Sequence, residues 1–151
     1  MHLRLGDLAL LDGDLEGAEA RWLWSHSLRP TAWADRNIAL VDTARGQRDR
    51  AAVRYLRAHR VQPDEIELAV EAVGALIAAG RVGDTRLVLD RMIRLGQVGT
   101  ARYWMLEAEV ALASGRAAHN VERALATASS CADYQVHGIW ARELMGGRGP
   151  A

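Results

Sequence analysis

The chain of 151 residues has no lysine, no phenylalanine, three prolines and one cysteine. A lone thiol, Cys131, excludes an internal disulfide framework and any multi-thiolate metal site within one chain, and it reads as a buried, inert side chain. Long hydrophobic runs are missing too. Arg, Asp or Glu interrupts each apolar stretch within a few residues, so none reaches the roughly 20 apolar residues a bilayer-spanning helix requires. Met1 and His2 lead straight into a helical pattern without the basic, apolar and small-residue succession of a secretory signal, which makes the cytoplasm the expected site. Charge of one sign is not in excess either: 19 acidic residues match 19 basic ones, and no long-range field for gathering nucleic acid is expected. With every basic residue an arginine and Ala, Gly, Val and Leu abundant, the composition reads as that of a GC-rich bacterial genome.

Catalytic signatures are equally sparse. There is no P-loop, dinucleotide fingerprint or nucleophile elbow, and Gly96 and Gly99 lack the preceding strand that a phosphate-binding loop needs. His2, His26, His59, His119 and His137 include no i, i+4 pair, so a helical metal site is not expected. Carboxylates are plentiful, but nothing gathers them into an acid and base pair. The sequence predicts no enzyme activity, no cofactor and no metal.

What is present is a period. Gly13, Gly46, Gly80 and Gly115 fall 33, 34 and 35 residues apart, each closing one apolar helical stretch just before the next. Leu3 to Leu11 and Leu15 to Leu28 form the first pair, with Asp14 as the cap of the second helix and Pro30 as the stop. Thr31 to Ala44 and Asp49 to Arg60 repeat the plan and end at Pro63. In the third pair, Asp64 and Glu67 read as a capping box for a helix running to Ala79, followed by Val82 to Leu95. The fourth spans Thr100 to Ser114 and Arg116 to Ala128. Pairs of about 1–30, 31–63, 64–97 and 98–129 are followed by a closing segment at 130–145, containing Tyr134, Ile139 and Trp140, and by a glycine-rich frayed tail at 146–151. Because the helical pattern is already running at the first residue, the chain reads as part of a longer protein.

Small residues flank a large one at helical spacing in the second helices: Ala18, Trp22 and Ser25, then Ala51, Tyr55 and Ala58. Such a face lets two backbones approach around an inserted ring, and helices that carry it must pack in pairs. Together with Gly6, Ala9, Gly13 and Pro30 in the first repeat, and Gly46 and Pro63 in the second, these positions resemble the tetratricopeptide repeat. The third repeat keeps the spacing at Thr85, Leu89 and Met92 but has Gln97 where proline would stand. In the fourth, Asn120 and Ala124 take the small and large places, and Val121, Leu125 and Ala128 restore the pattern if the turn is one residue longer. The resemblance implies an all-α fold, a right-handed solenoid of antiparallel helix pairs with a closing C-terminal helix. The stretch Pro30 to Ala39, with Trp140, also resembles the C-terminal repeat tail of large bacterial proteins of unknown function, for which sugar chemistry is one reading.

The resemblance further implies that the first helix of each pair lines a concave groove receiving a protein or peptide. Carried over residue by residue, that surface comprises Arg4, Asp7, Trp33, Arg36, Asn37, Glu67, Glu71, Arg102, Met105 and Glu109. Trp33 beside Arg36 and Asn37 combines apolar area, charge and amide hydrogen bonding, as binding hot spots do, although packing between repeats would also account for it. A basic clamp for a terminal carboxylate is not reproduced, because Glu67 and Glu71 stand where cations would be wanted. The cluster Arg45, Arg48, Arg50, Arg54, Arg57 and Arg60 is offset by the acidic stretch from Asp64, and Arg50, Arg54 and Arg57 read as the solvated outer face of an amphipathic helix. The sequence therefore predicts a non-catalytic scaffold binding a peptide or protein. The other readings are an accessory C-terminal domain of a larger, carbohydrate-related bacterial enzyme, and a homo-oligomerisation module.

Overall fold

A computed structural model describes residues 13–28 and 31–133. The chain divides between Ala79 and Gly80 into two compact units. Seven α-helices make up the described fold: α1 (Leu15–Leu28), α2 (Ala32–Ala44), α3 (Arg48–Val61), α4 (Ile66–Ala78), α5 (Thr85–Arg94), α6 (Ala101–Ala113) and α7 (Ala118–Ser129). Short 3₁₀ turns, Val82–Asp84 and Gln97–Gly99, lie on either side of α5. Among the described residues there is no β-strand, and no helix is long and apolar enough to cross a membrane. The proposed helix at residues 3–11, Pro30, most of the closing segment and the tail lie outside the described residues.

The periodic glycines have a conformational cause. Gly13, Gly46, Gly80 and Gly115 all have positive φ, between 65° and 79°, a left-handed conformation that an L side chain adopts only at a cost. After α2 the Gly46 amide donates to the Thr43 carbonyl at 3.0 Å and the Gln47 amide to the Asp42 carbonyl at 2.8 Å. After α6 the Gly115 and Arg116 amides do the same with Leu112 and Ala111, at 3.1 and 3.0 Å. These paired bonds satisfy the last carbonyls of each helix in a Schellman arrangement. Gly96, outside the period, ends α5 with φ of 73°.

In the first unit, α1 packs on α2, α2 on α3 and α3 on α4. The Asp14 side chain caps α1 by accepting from the Gly17 amide at 2.8 Å, as its position predicts. Thr31 likewise caps α2 through the Ala34 amide at 3.1 Å. Trp22 and Ala18 of α1 are buried against Ile38 and Val41 of α2, and Ala32, Ala58 and Leu68 meet where α2, α3 and α4 adjoin. Ala51, Tyr55 and Ala58 are all buried, so the small, large, small face of the second repeat is a packing face. Helix α4 starts at Ile66, with Glu65 rather than the expected Asp64 in the cap position and making no side-chain cap bond.

In the second unit α5 packs on α6 and α6 on α7. Val82–Asp84 is a 3₁₀ turn rather than the start of the helix expected from Val82, and the Thr85 hydroxyl donates to the Val82 carbonyl at 2.6 Å. Thr100 caps α6 through the Tyr103 amide at 3.3 Å. The buried face of α7 draws on both registers that the sequence left open: Val121, Ala124 and Ala128 are buried, Asn120 and Leu125 are half-buried, and α7 starts only at Ala118. Their partners are Ala108 and Ala111 for the first two, and Ala101 and Met105 for Ala128.

Candidate functional site

Helix α2 sends polar side chains to two places. On one side, Trp33 is 38% exposed, and the Arg36 guanidinium lies 5.8 Å from its ring centroid, within cation–π range. Glu71 of α4 holds that guanidinium: Arg36 Nε donates to both carboxylate oxygens at 2.9 Å and Nη2 to Oε1 at 2.7 Å. Arg36 Nη1 also donates to Asn37 Oδ1 at 3.4 Å. Trp33, Arg36, Asn37 and Glu71 are thus one connected cluster, with the guanidinium fixed in place by a charge-assisted fork. Asn37 is only 7% exposed, whereas Glu67 is exposed one turn before Glu71.

The remaining sequence-predicted residues are differently placed. Arg4 and Asp7 lie outside the described residues. Arg102, Met105 and Glu109 belong to the second unit. Met105 is a correction: it is fully buried with Ala101 and Ala128, so it contributes to the core and offers nothing to a partner. Its i, i+4 spacing to Ala101 fits a core stripe as readily as a groove stripe, which is why spacing alone misplaced it. Arg102 and Glu109 are half-buried. Burial pushes the Glu109 carboxyl up from its ordinary range and the Arg102 guanidinium down, the latter opposed by attraction to Asp133. Next to them, Tyr103 donates to Glu107 Oε1 at 2.6 Å and Arg86 Nη2 donates to the same oxygen at 3.1 Å. Burial first, and Glu107 second, push the Tyr103 phenol up to about 12, so it stays protonated and serves as a structural donor.

On its other side α2 carries an arrangement that sequence reasoning missed. Asp35 is 2% exposed and Asp42 fully buried. Arg57 of α3 grips Asp35 with Nε on Oδ2 at 2.9 Å and Nη2 on Oδ1. Arg54 Nε donates to Asp42 Oδ2 at 3.2 Å, while its Nη1 lies 3.8 Å from Asp35. Arg50 Nε is 3.7 Å from Asp42 Oδ1, and His26 Nε2 of α1 is 3.4 Å from Asp35 Oδ2. The three arginines are therefore not a purely solvated face. Arg54 in particular has a side chain only 21% exposed and bridges two buried carboxylates. Hydrogen bonding to Asp35 raises Arg57 further above its ordinary value, so its charge is secure. A signal for this ladder does exist in the sequence: Asp35 and Asp42 are seven apart, as are Arg50 and Arg57, and two antiparallel helices bring those intervals into register.

Comparison with known proteins adds no assignment: no protein-family model matches the chain, and no curated protein is similar to it.

Proposed function

We propose that this chain is a non-catalytic protein-interaction module, built as a tetratricopeptide-like array of helix pairs, that binds a peptide or protein partner on the surface around Trp33. The observation that carries this reading is the Trp33, Arg36 and Glu71 cluster, in which side chains of α2 and α4 join around an exposed indole. A half-exposed indole whose neighbouring cation is already fixed loses little side-chain freedom on binding. Ordering of rotamer-rich side chains costs about 0.5–1.5 kcal/mol each, so a patch of this kind starts with an advantage. Tryptophan and arginine are also the residue types that dominate binding energy at interfaces.

The repeat architecture is supported by the left-handed glycines that recur at the ends of helices and by the matching Schellman closures of α2 and α6. Arg36 spends its Nε and Nη2 donors on Glu71, so it is poorly disposed to clamp a partner's terminal carboxylate. An extended or helical segment with an apolar anchor against Trp33 suits the patch better. Selection of a displayed random dodecapeptide library on the immobilised full chain tests the reading. Enrichment of a consensus with an apolar anchor supports it, and the absence of any enriched consensus contradicts it.

A further inference from the structure

A glycine inside a helix is destabilising relative to alanine, so its presence calls for a reason. Among the described residues, Gly17 and Gly74 lie inside α-helices. A Cβ at Gly17 would collide with the Asp14 carboxylate that caps α1, so this glycine serves the fold. Gly74 has no such reason within the chain. It lies deep in α4, its φ is not positive, and a Cβ added there meets nothing within 4 Å. The fold would accept alanine at this position, and the helix would be steadier for it.

The place of Gly74 on α4 suggests what the bare backbone is for. It stands seven residues after the exposed Glu67, four after Val70 and three after Glu71, so the four share one helix face. The Arg36 and Glu71 fork joins that face to Trp33 of α2. On the reading that Trp33 anchors a partner, we propose that Gly74 is where the partner's main chain comes down onto α4, and that the partner is an extended, uncharged segment with an apolar anchor on Trp33 and a small residue on Gly74. Without a Cβ, α4 admits a main chain to the distance of Cα–H···O contacts, which a methyl group would hold off. A helical segment would present side chains at this point, whereas an extended one can lay its backbone there. The fork between the two points closes its own charge, so an ionised side chain crossing it would be desolvated without a counter-ion. The spacing follows from helix geometry. Helices α2 and α4 each pack on α3 through a short connection, as antiparallel hairpins do, so they run the same way. Trp33 lies three residues before Arg36 and Gly74 three after Glu71, which at about 1.5 Å per residue separates them by about 9 Å along the axes. With neighbouring axes about 8–10 Å apart, the diagonal is about 13 Å, the span of about four extended residues.

Selection of a displayed random dodecapeptide library on the immobilised full chain supplies the probe, and affinity for the selected peptide is then measured with the parent, Gly74→Ala, Gly74→Leu and Trp33→Ala. The consensus should carry glycine, alanine or serine about four positions from its apolar anchor. Gly74→Ala should bind at least about tenfold more weakly and Gly74→Leu more weakly still, while Gly74→Ala melts no lower than the parent. Affinity that falls while stability holds or rises separates a contact from a structural role. If no consensus emerges, or if Trp33→Ala binds as the parent does, the binding surface itself is refuted and the contact at Gly74 falls with it. If Trp33→Ala loses affinity while Gly74→Ala keeps it, or if the consensus lacks a small residue at that spacing, only the assignment of Gly74 is overturned. A Gly74→Ala chain that melts below the parent overturns that assignment too, since the glycine then serves the fold.

Discussion

Arg57→Ala gives the sharpest test of whether the α3 arginines form a solvated face or a buried ladder. Half of the Arg57 side chain is exposed, so an ordinary surface pair would cost about 0.2–1 kcal/mol when removed. The carboxylate it serves is almost completely buried, and that changes the expectation. Breaking a buried pair by deleting one partner costs about 3–5 kcal/mol because it strands the other charge. Two groups soften the loss for Asp35: Arg54 Nη1 at 3.8 Å and His26 Nε2 at 3.4 Å. We therefore expect about 2–3 kcal/mol for Arg57→Ala near pH 8, below the full range for a stranded buried charge. The reverse deletion, Asp35→Ala, leaves an arginine that reaches water and another that still holds Asp42, and should cost less, about 1–2 kcal/mol. Adding Asp35→Ala to Arg57→Ala should restore part of the lost stability, since no buried anion remains. Amide hydrogen exchange in α2 and α3 is the appropriate assay, because two compact units need not unfold as one transition. A cost below about 1 kcal/mol for Arg57→Ala, or a double variant weaker than either single one, would refute the argument.

Three further outcomes follow from the same geometry. Gly46→Ala should destabilise by about 1–2 kcal/mol, since φ is +73° there, whereas Gly74→Ala, within α4 and with open space around its Cα, should stabilise by about 0.5–1 kcal/mol in thermal or urea unfolding. Glu109→Gln should raise the melting temperature at pH 7, because burial lifts the folded-state pKa of the native carboxyl above its unfolded value; ionised Glu109 is a burden that disappears as pH falls below the unfolded value of about 4.3, so the two proteins should converge there. With Arg54 and Arg57 committed to Asp42 and Asp35, duplex and single-stranded oligonucleotides should bind no more tightly than about 10⁻⁴ M at physiological salt, and micromolar binding with a steep salt slope would show that the ladder does not neutralise the face.

The helices were legible in the sequence because their stops are chemical. A glycine that must turn left-handed, or an aspartate that caps, is visible without any neighbour, and Gly46, Gly115 and Asp14 all act as their types require. Core positions with small, large, small spacing were legible for the same reason, as Ala51, Tyr55 and Ala58 illustrate. What was not legible depended on which helix lies opposite. Met105 and Trp33 were both expected on a groove surface, yet one is fully buried and the other is 38% exposed. Nothing in the sequence marks Asp35 and Asp42 as buried, and only the antiparallel packing of α2 on α3 makes them buried anchors for arginines that read as a solvated face.

The central claim, that the Trp33 patch holds a protein or peptide partner, is tested most directly by the affinity of a library-selected peptide for the parent chain and for Trp33→Ala. An Arg48→Glu variant, altered at an exposed position that starts α3, serves as the control. If Trp33 is the anchor, its truncation should cost at least about 2 kcal/mol, a loss of roughly 30-fold in Kd, with far-UV dichroism unchanged and the control binding as the parent does. Equal affinities for the parent and Trp33→Ala, or a Trp33→Ala chain that loses its helical signal, would contradict the account.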